Sequence, residues 1–375
     1  MTNNPEVRKK DVKSEREPLI SLTRRTDVSL LRGILVRAAA ILTALIICGF
    51  VTKFVTGNDP ISVYITMFQG AFGTANKTWF TMHELVVLLG ISLAVTPAFK
   101  MKFWNIGAEG QVLIGGLAAA ICMVAFSGSS LSDGIIILIM LFSSMLAGVI
   151  WGVLPAAFKA IWKTNETLFT LLMNYIAMYL IDFFIEKADS SGSHTVDNRT
   201  LVRGWLPQLF GQKYLLDILI VALLTVVMYV YLNYSKHGYE IAVVGESENT
   251  ARYVGINVKK VIIRTMALSG AICGIIGFLL VGGISHSIDK NFVKGRGFTA
   301  IMVSWLAKFN PFMMVAAAFL LVFLERGSDA ITTAFGMNAS FSDILTGIIL
   351  FFIIGCEFFI NYKIHFRAKS EKEAE

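Results

Sequence analysis

Apolar runs of roughly membrane-spanning length recur through this 375-residue chain, separated by short polar segments. A helix needs about 20 mostly apolar residues to cross the hydrocarbon core of a bilayer. Eight runs satisfy this: Ile34–Val55, His83–Phe99, Gly107–Phe126, Gly134–Ala156, Thr167–Ile185, Tyr214–Tyr234, Ile263–Ile284 and Phe341–Ile360. A ninth stretch, Phe298–Leu324, is interrupted at Lys308-Phe309-Asn310-Pro311. It reads as a short half-helix, Phe298–Ala307, followed by a span over Phe312–Leu324. Broken helices occur in membranes where protein or a polar cavity satisfies the freed backbone groups. The fold class expected is all-α and polytopic, with about ten crossings including the half-helix.

Composition agrees. Only 16% of residues are charged and 55% are hydrophobic, whereas soluble domains carry about 25% charge. The net charge of +7 does not point to nucleic acid, because the chain has no basic patch interleaved with stacking aromatics. The cations instead concentrate on alternate loops. With a cytoplasmic N-terminus, ten crossings place 22 of the 33 Lys and Arg inside and return the C-terminus to the cytoplasm, in keeping with the positive-inside bias. Lys290, Lys294 and Arg296 run against it. The domain plan is a charged tail (1–33), a membrane domain (34–360) and a second charged tail (361–375).

Cys48, Cys122, Cys273 and Cys356 each stand alone in an apolar run, and the five histidines lack zinc-site spacing. Disulfide, metal and cofactor chemistry are not expected. No Gly-x-x-x-x-Gly-Lys-Ser/Thr loop occurs, so ATP binding through a P-loop is not expected on this chain. No nucleophile motif suggests an enzyme.

Two polar sets interrupt the apolar runs. In Trp104-Asn105-Ile106-Gly107-Ala108-Glu109-Gly110-Gln111, Asn105 and Glu109 share a helical face, and the glycines permit close approach of another backbone. Intramembrane ionisable groups cost several kcal/mol unless they face a polar interior, so a constriction on a solute pathway is one reading. The other is an interfacial cap, with Glu109 neutralised by Lys100 or Lys102. In the fifth run Glu166, Thr170, Asn174, Met178 and Asp182 recur every four residues. Thr170 and Asn174 fit pathway contacts and interhelical hydrogen bonding equally well. By contrast, Gly270 and Gly274 in the seventh run read as packing residues. Ser235–Ile262 is too long for a simple turn and suggests a helix lying along the membrane surface.

The octapeptide 104–111 resembles the signature of bacterial ABC-importer permeases for nucleosides and simple sugars, a branch of the branched-chain amino acid and ribose permease superfamily. Met173-Asn174-Tyr175-Ile176-Ala177 is similar to the span that follows in those proteins. Gly245-Glu246-Ser247-Glu248-Asn249-Thr250-Ala251-Arg252-Tyr253-Val254-Gly255-Ile256 resembles their cytoplasmic coupling segment, within about 235–262. The resemblance covers roughly Leu85 to Ile360. It implies a permease in a bacterial cell membrane, a cytoplasmic ABC ATPase, a second homologous permease and an extracellular lipid-anchored solute-binding protein. Read with the polar pattern above, the candidate solute-pathway residues are Trp104, Asn105, Glu109, Gln111, Thr170 and Asn174. ATPase-coupling roles fall to Gly245, Glu246, Ala251, Tyr253, Gly255 and Ile256. A nucleoside is the expected solute; a simple sugar, a branched-chain amino acid and an ion-gradient-driven carrier are the alternatives.

Overall fold

The computed structural model of the chain describes residues 20–25, 29–57, 59–188 and 195–366. The elements run β1 (Ile20–Arg24), α1 (Leu30–Thr56), α2 (Pro60–Phe72), α3 (Ala75–Lys100), α4 (Ala108–Ala125), α5 (Asp133–Trp162), α6 (Glu166–Ala188), α7 (Leu215–Tyr234), α8 (Lys236–Glu246), α9 (Glu248–Tyr253), α10 (Val258–Leu279), α11 (Arg296–Leu306), α12 (Pro311–Ala334), α13 (Ala339–Asn361) and β2 (Tyr362–Phe366). A π-helical segment, Leu280–Ser285, continues α10. Among the described residues nine helices are long and apolar enough to cross a membrane. The half-helix expected at Phe298–Ala307 is α11.

The chain divides into two compact units. One comprises Met1–Tyr64 with Asn338–Glu375, of which residues 1–19, 26–28, 58 and 367–375 lie outside the description. Within it α1 packs against α13, and β1 pairs antiparallel with β2 in the register Ile20↔Phe366 to Arg24↔Tyr362. Both strands fall in segments expected to be tails. The rest of those charged tails lies largely outside the described residues. The pairing brings the start of α1 and the end of α13 together within this unit. Arg37, an isolated cation within the first span, pairs with Glu357 of α13. Partnering is what makes a charge tolerable at membrane depth.

The second unit, Ile65–Met337, holds the remaining helices. α3 is buried along most of its length. Beside it, α4, α5 and α10 come into backbone contact with one another through glycines: a Cβ on Gly115 would lie 2.6 Å from Gly274 Cα, and one on Gly152 would lie 2.7 Å from Met266 O. Gly270 and Gly274 thus serve the packing role expected, since close approach drives helix association in lipid.

Some boundaries differ from the sequence reading. α2 was not anticipated, because 13 residues are too few to span. α3 begins eight residues before His83, and α12 continues ten residues beyond Leu324. Glu325 and Arg326 look like a span end in sequence. The helix nevertheless persists, with Gly327, Ser328 and Ile331 buried and the Arg326 guanidinium 4.7 Å from the Phe80 ring centroid. Arg296, expected in an outer loop, is buried at the start of α11 and paired with Glu84 of α3. The surface segment forms two helices, because Ser247 ends α8 and its hydroxyl caps α9 by accepting from Thr250 N.

Candidate functional site

The half-helix α11 organises the polar residues of the bundle. Its N-terminus follows Gly295, whose left-handed φ of 71° costs glycine no Cβ penalty. The first N–H groups of any helix lack intrahelical acceptors and carry partial positive charge. Here Glu109 of α4 supplies both remedies: its carboxylate oxygens accept from Gly295 N at 2.8 Å and Gly297 N at 2.7 Å. Glu109 is therefore hydrogen-bonded by backbone amides, not paired with Lys100 or Lys102, and Lys100 donates instead to Leu232 O. At the other end, Lys308 and Phe309 adopt left-handed φ values of 49° and 61°. Asn310 caps α12 by accepting from Phe312 N at 3.0 Å, with Pro311 in the first turn. This is the break legible in the sequence.

The rest of the octapeptide forms a second network. Asn105 Nδ2 donates to Ser269 Oγ of α10 at 3.3 Å, and Gln111 Nε2 donates to Asn105 Oδ1 at 3.3 Å. Asn105 Oδ1 also accepts from Gly107 N at 3.0 Å. From α6, Asn174 Oδ1 accepts from Gly110 N at 2.8 Å while its Nδ2 donates to Ile106 O at 2.9 Å. Thr170 Oγ1 accepts from Ile106 N at 3.2 Å. Asn105, Glu109, Gln111, Thr170 and Asn174 are each no more than 2% exposed. The structure joins Asn105, Gln111, Thr170 and Asn174 in one network whose polar atoms bind one another, Ser269 and backbone, while Glu109 binds the start of α11. Ser269, legible only as a small packing residue, is part of the set.

Trp104 separates from the group. It is 46% exposed and tilts against Trp305 of α11 at 5.7 Å between ring centroids. With Phe99, Lys100, Lys102, Gly245, Glu246 and Phe309 these rings line a cavity of about 440 Å³. A second cavity, of about 590 Å³, is lined among others by Lys159, Lys163, Glu248, Arg252 and Lys259. The two cavities flank α8 and α9, so cations distant in sequence converge on one face of this unit.

That face carries the residues expected to couple to an ATPase. α8 and α9 rest on an apolar base in which Ile241, Val244 and Ala251 pack with Met101, Phe103, Ala156, Val258 and Met266. Gly245 lies against the carbonyl end of α3, where any side chain would collide with Lys100 O. Ala251 is buried and its carbonyl accepts from Ile256 N at 2.9 Å. Beyond this base Glu246 is exposed, Tyr253 is 92% exposed, and Gly255 turns the chain with a φ of 81°. Glu240 accepts from Arg264 Nη2 at 2.8 Å, a bond that holds its carboxyl below the usual carboxylate range. Met101 and Phe103 of this base directly precede the octapeptide in sequence.

Two buried charge sets on α3 were not anticipated. Glu84 pairs with Arg296, and His83 Nδ1 lies 3.4 Å from Asp217 Oδ2 of α7. The sequence offered adjacent ionisable residues at 83 and 84, but their distant partners could not be read from it.

Comparison with known proteins gives a consistent picture. A family model described as "branched-chain amino acid transport system / permease component" matches residues 75–354. The guanosine ABC transporter permease protein NupP of Bacillus subtilis (strain 168) is 30% identical over 333 residues, covering 87% of this chain and 94% of that protein. The nucleoside ABC transporter permease protein NupB of Lactococcus lactis is 26% identical, covering 92% and 96%. A glucose ABC transporter permease protein of Haloferax volcanii is 27% identical, covering 82% and 83%.

Proposed function

Because this chain belongs to the family of branched-chain amino acid transport system permease components, we propose that its solute is a neutral, ring-bearing molecule, and most specifically a nucleoside. The chain is a multi-pass membrane permease subunit of an ABC transporter and not an enzyme. Permeases of this kind work with an ATPase and a solute-binding protein.

One observation carries the neutral-solute reading. Broken membrane helices commonly aim their N-termini at an anionic group of the substrate. In this chain that position on α11 is filled by the protein's own Glu109 carboxylate. A phosphorylated nucleotide, or the carboxylate of an amino acid, would have to compete with it. The names of the relatives narrow the class further, to guanosine and other nucleosides first and to glucose as the second reading.

In this reading the face bearing α8 and α9 is cytoplasmic, as the convergence of cations there favours. Both chain ends lie on the cytoplasmic side, and the membrane is that of a bacterial cell. The exposed surface around Glu246, Tyr253 and Gly255 docks on a separate ATPase chain. A second, homologous permease completes the pore, and a lipid-anchored binding protein delivers solute from outside. Asn105, Glu109, Gln111, Thr170 and Asn174 shape the pathway by positioning α4, α6, α10 and α11, not by touching solute. Nucleotide binding would bias two conformations separated by only a few kcal/mol.

The test is uptake of radiolabelled guanosine or uridine in cells with and without the gene, with ATP and the proton gradient depleted separately. Gene-dependent uptake that falls with ATP and survives loss of the gradient is the expected result. Uptake that follows the gradient would overturn the ATP-driven mechanism; gene-dependent uptake of glucose alone would replace the nucleoside by a sugar.

A further inference from the structure

We infer that the outward face of α6, through Tyr175 and Tyr179, lines the aqueous path of the solute. The buried face of this helix is settled: Thr170 and Asn174 bind the octapeptide, and Ala177 and Ile181 pack beside them. The opposite face presents Tyr175 and Tyr179, 54% and 71% exposed, among the exposed apolar side chains Leu168, Leu172, Ile176 and Phe183, with no hydrogen-bond partner for either hydroxyl among the described residues.

Depth makes these two tyrosines unusual. At 1.5 Å per residue they stand about 14 Å and about 20 Å along the helix from Glu166, near the middle of a 23-residue span about 34 Å long. Membrane tyrosines favour the interfaces, where the ring is in apolar surroundings and the hydroxyl is hydrated. Seven of the chain's ten tyrosines lie at helix ends, in the last turns of α7 or on α8 and α9, and Tyr64 donates to Leu45 O. Only Tyr175 and Tyr179 sit exposed at mid-span. The neighbouring helix in sequence, α7, exposes Leu223, Val226 and Val227 at mid-span and no tyrosine, whereas α6 adds Tyr175 and Tyr179 to the exposed Leu172 and Ile176. A phenol left unpaired in hydrocarbon is disfavoured, so a face that spaces two of them one turn apart suits water and a hydrogen-bonding solute. Each ring offers a stacking surface and each hydroxyl a donor and an acceptor, which matches a neutral planar heterocycle or the polar rim of a sugar.

This inference rests on the transport reading above and identifies the surface along which the solute moves. It is tested in membrane vesicles holding the assembled transporter, with the four native cysteines replaced by alanine. Tyr175→Cys, Tyr179→Cys and, as control, Leu223→Cys are treated with a charged methanethiosulfonate reagent. The tyrosine positions should react at least about tenfold faster than the control, because the reactive thiolate forms only where water reaches, and saturating guanosine should slow them. Tyr175→Phe and Tyr179→Phe, which keep the ring, should each raise KM for uptake about fivefold, the loss of one neutral hydrogen bond. Rates equal to the control would mean that lipid or another protein covers the face, and would overturn the inference. Fast reaction unaffected by nucleosides and hexoses alike would overturn solute contact. Protection by a hexose but not by guanosine would keep the pathway and refute the nucleoside assignment.

Discussion

Glu109 and Gly297, 188 residues apart, are joined by a 2.7 Å hydrogen bond from the Gly297 amide to the Glu109 carboxylate. With the bond from Gly295 N it fastens the broken helix α11 to the start of α4. Hydrogen bonds to a charged acceptor contribute about 1.5–3 kcal/mol each. Glu109→Ala should therefore lower the thermal unfolding temperature of the purified complex markedly, by the equivalent of about 3 kcal/mol. Glu109→Gln, which keeps an acceptor but loses charge, should fall between. Equal stability of all three proteins would show that the carboxylate does not hold α11.

The Glu84–Arg296 pair predicts non-additive behaviour. Both side chains are almost fully buried, and removing one partner of a buried pair costs about 3–5 kcal/mol because the other charge is left uncompensated. Glu84→Gln alone and Arg296→Met alone should each reduce folded protein in the membrane severely. The double variant should recover much of the loss. Additive losses, measured by fluorescence-detected size exclusion, would contradict direct pairing.

Close glycine contact among α4, α5 and α10 predicts that Gly115→Val destabilises the bundle by about 2 kcal/mol, the usual scale of overpacking. The same substitution at Gly134, where nothing lies within 4 Å of an added Cβ, should be near neutral. Comparison of unfolding temperatures in one detergent checks this.

Gly255 holds a φ of 81° with open space around it, so Gly255→Val strains the backbone without a clash. It should alter the shape of the exposed turn after α9 and lower solute-stimulated ATPase activity while leaving solute binding to the external protein intact. Normal coupling would remove this turn from the ATPase contact.

Glu240 supplies a pH signature. Its bond to Arg264 depresses its folded-state pKa, so its stabilising contribution is fully present above the ordinary carboxylate range. That contribution is lost as pH falls through the depressed value. The difference in unfolding temperature between the native chain and Glu240→Gln should be present at neutral pH and shrink on acidification. A difference that grows with acid would reverse the assignment.

Much of the helical layout was legible because it follows from local chemistry. Apolar run length identified the spans, and Lys308-Phe309-Asn310-Pro311 marked the break, since proline and an Asn cap act within a turn of themselves. The polar residues Asn105, Glu109, Gln111, Thr170 and Asn174 were legible as a set, but not the direction in which they face. The spacing that makes a stripe on α6 is the same whether the stripe meets solute or meets the amides of residues 106 and 110.

What the sequence by itself determined is the class of molecule: a helical membrane protein with a permease signature. The tertiary structure alone decided that Glu109 binds a helix terminus 186 residues away, that Arg296 meets Glu84, and that β1 finds β2 across almost the whole chain. The physical reason is that hydrophobic transfer and backbone capping act over a few neighbouring residues, whereas a polar group at membrane depth takes whichever partner the folded bundle brings to it.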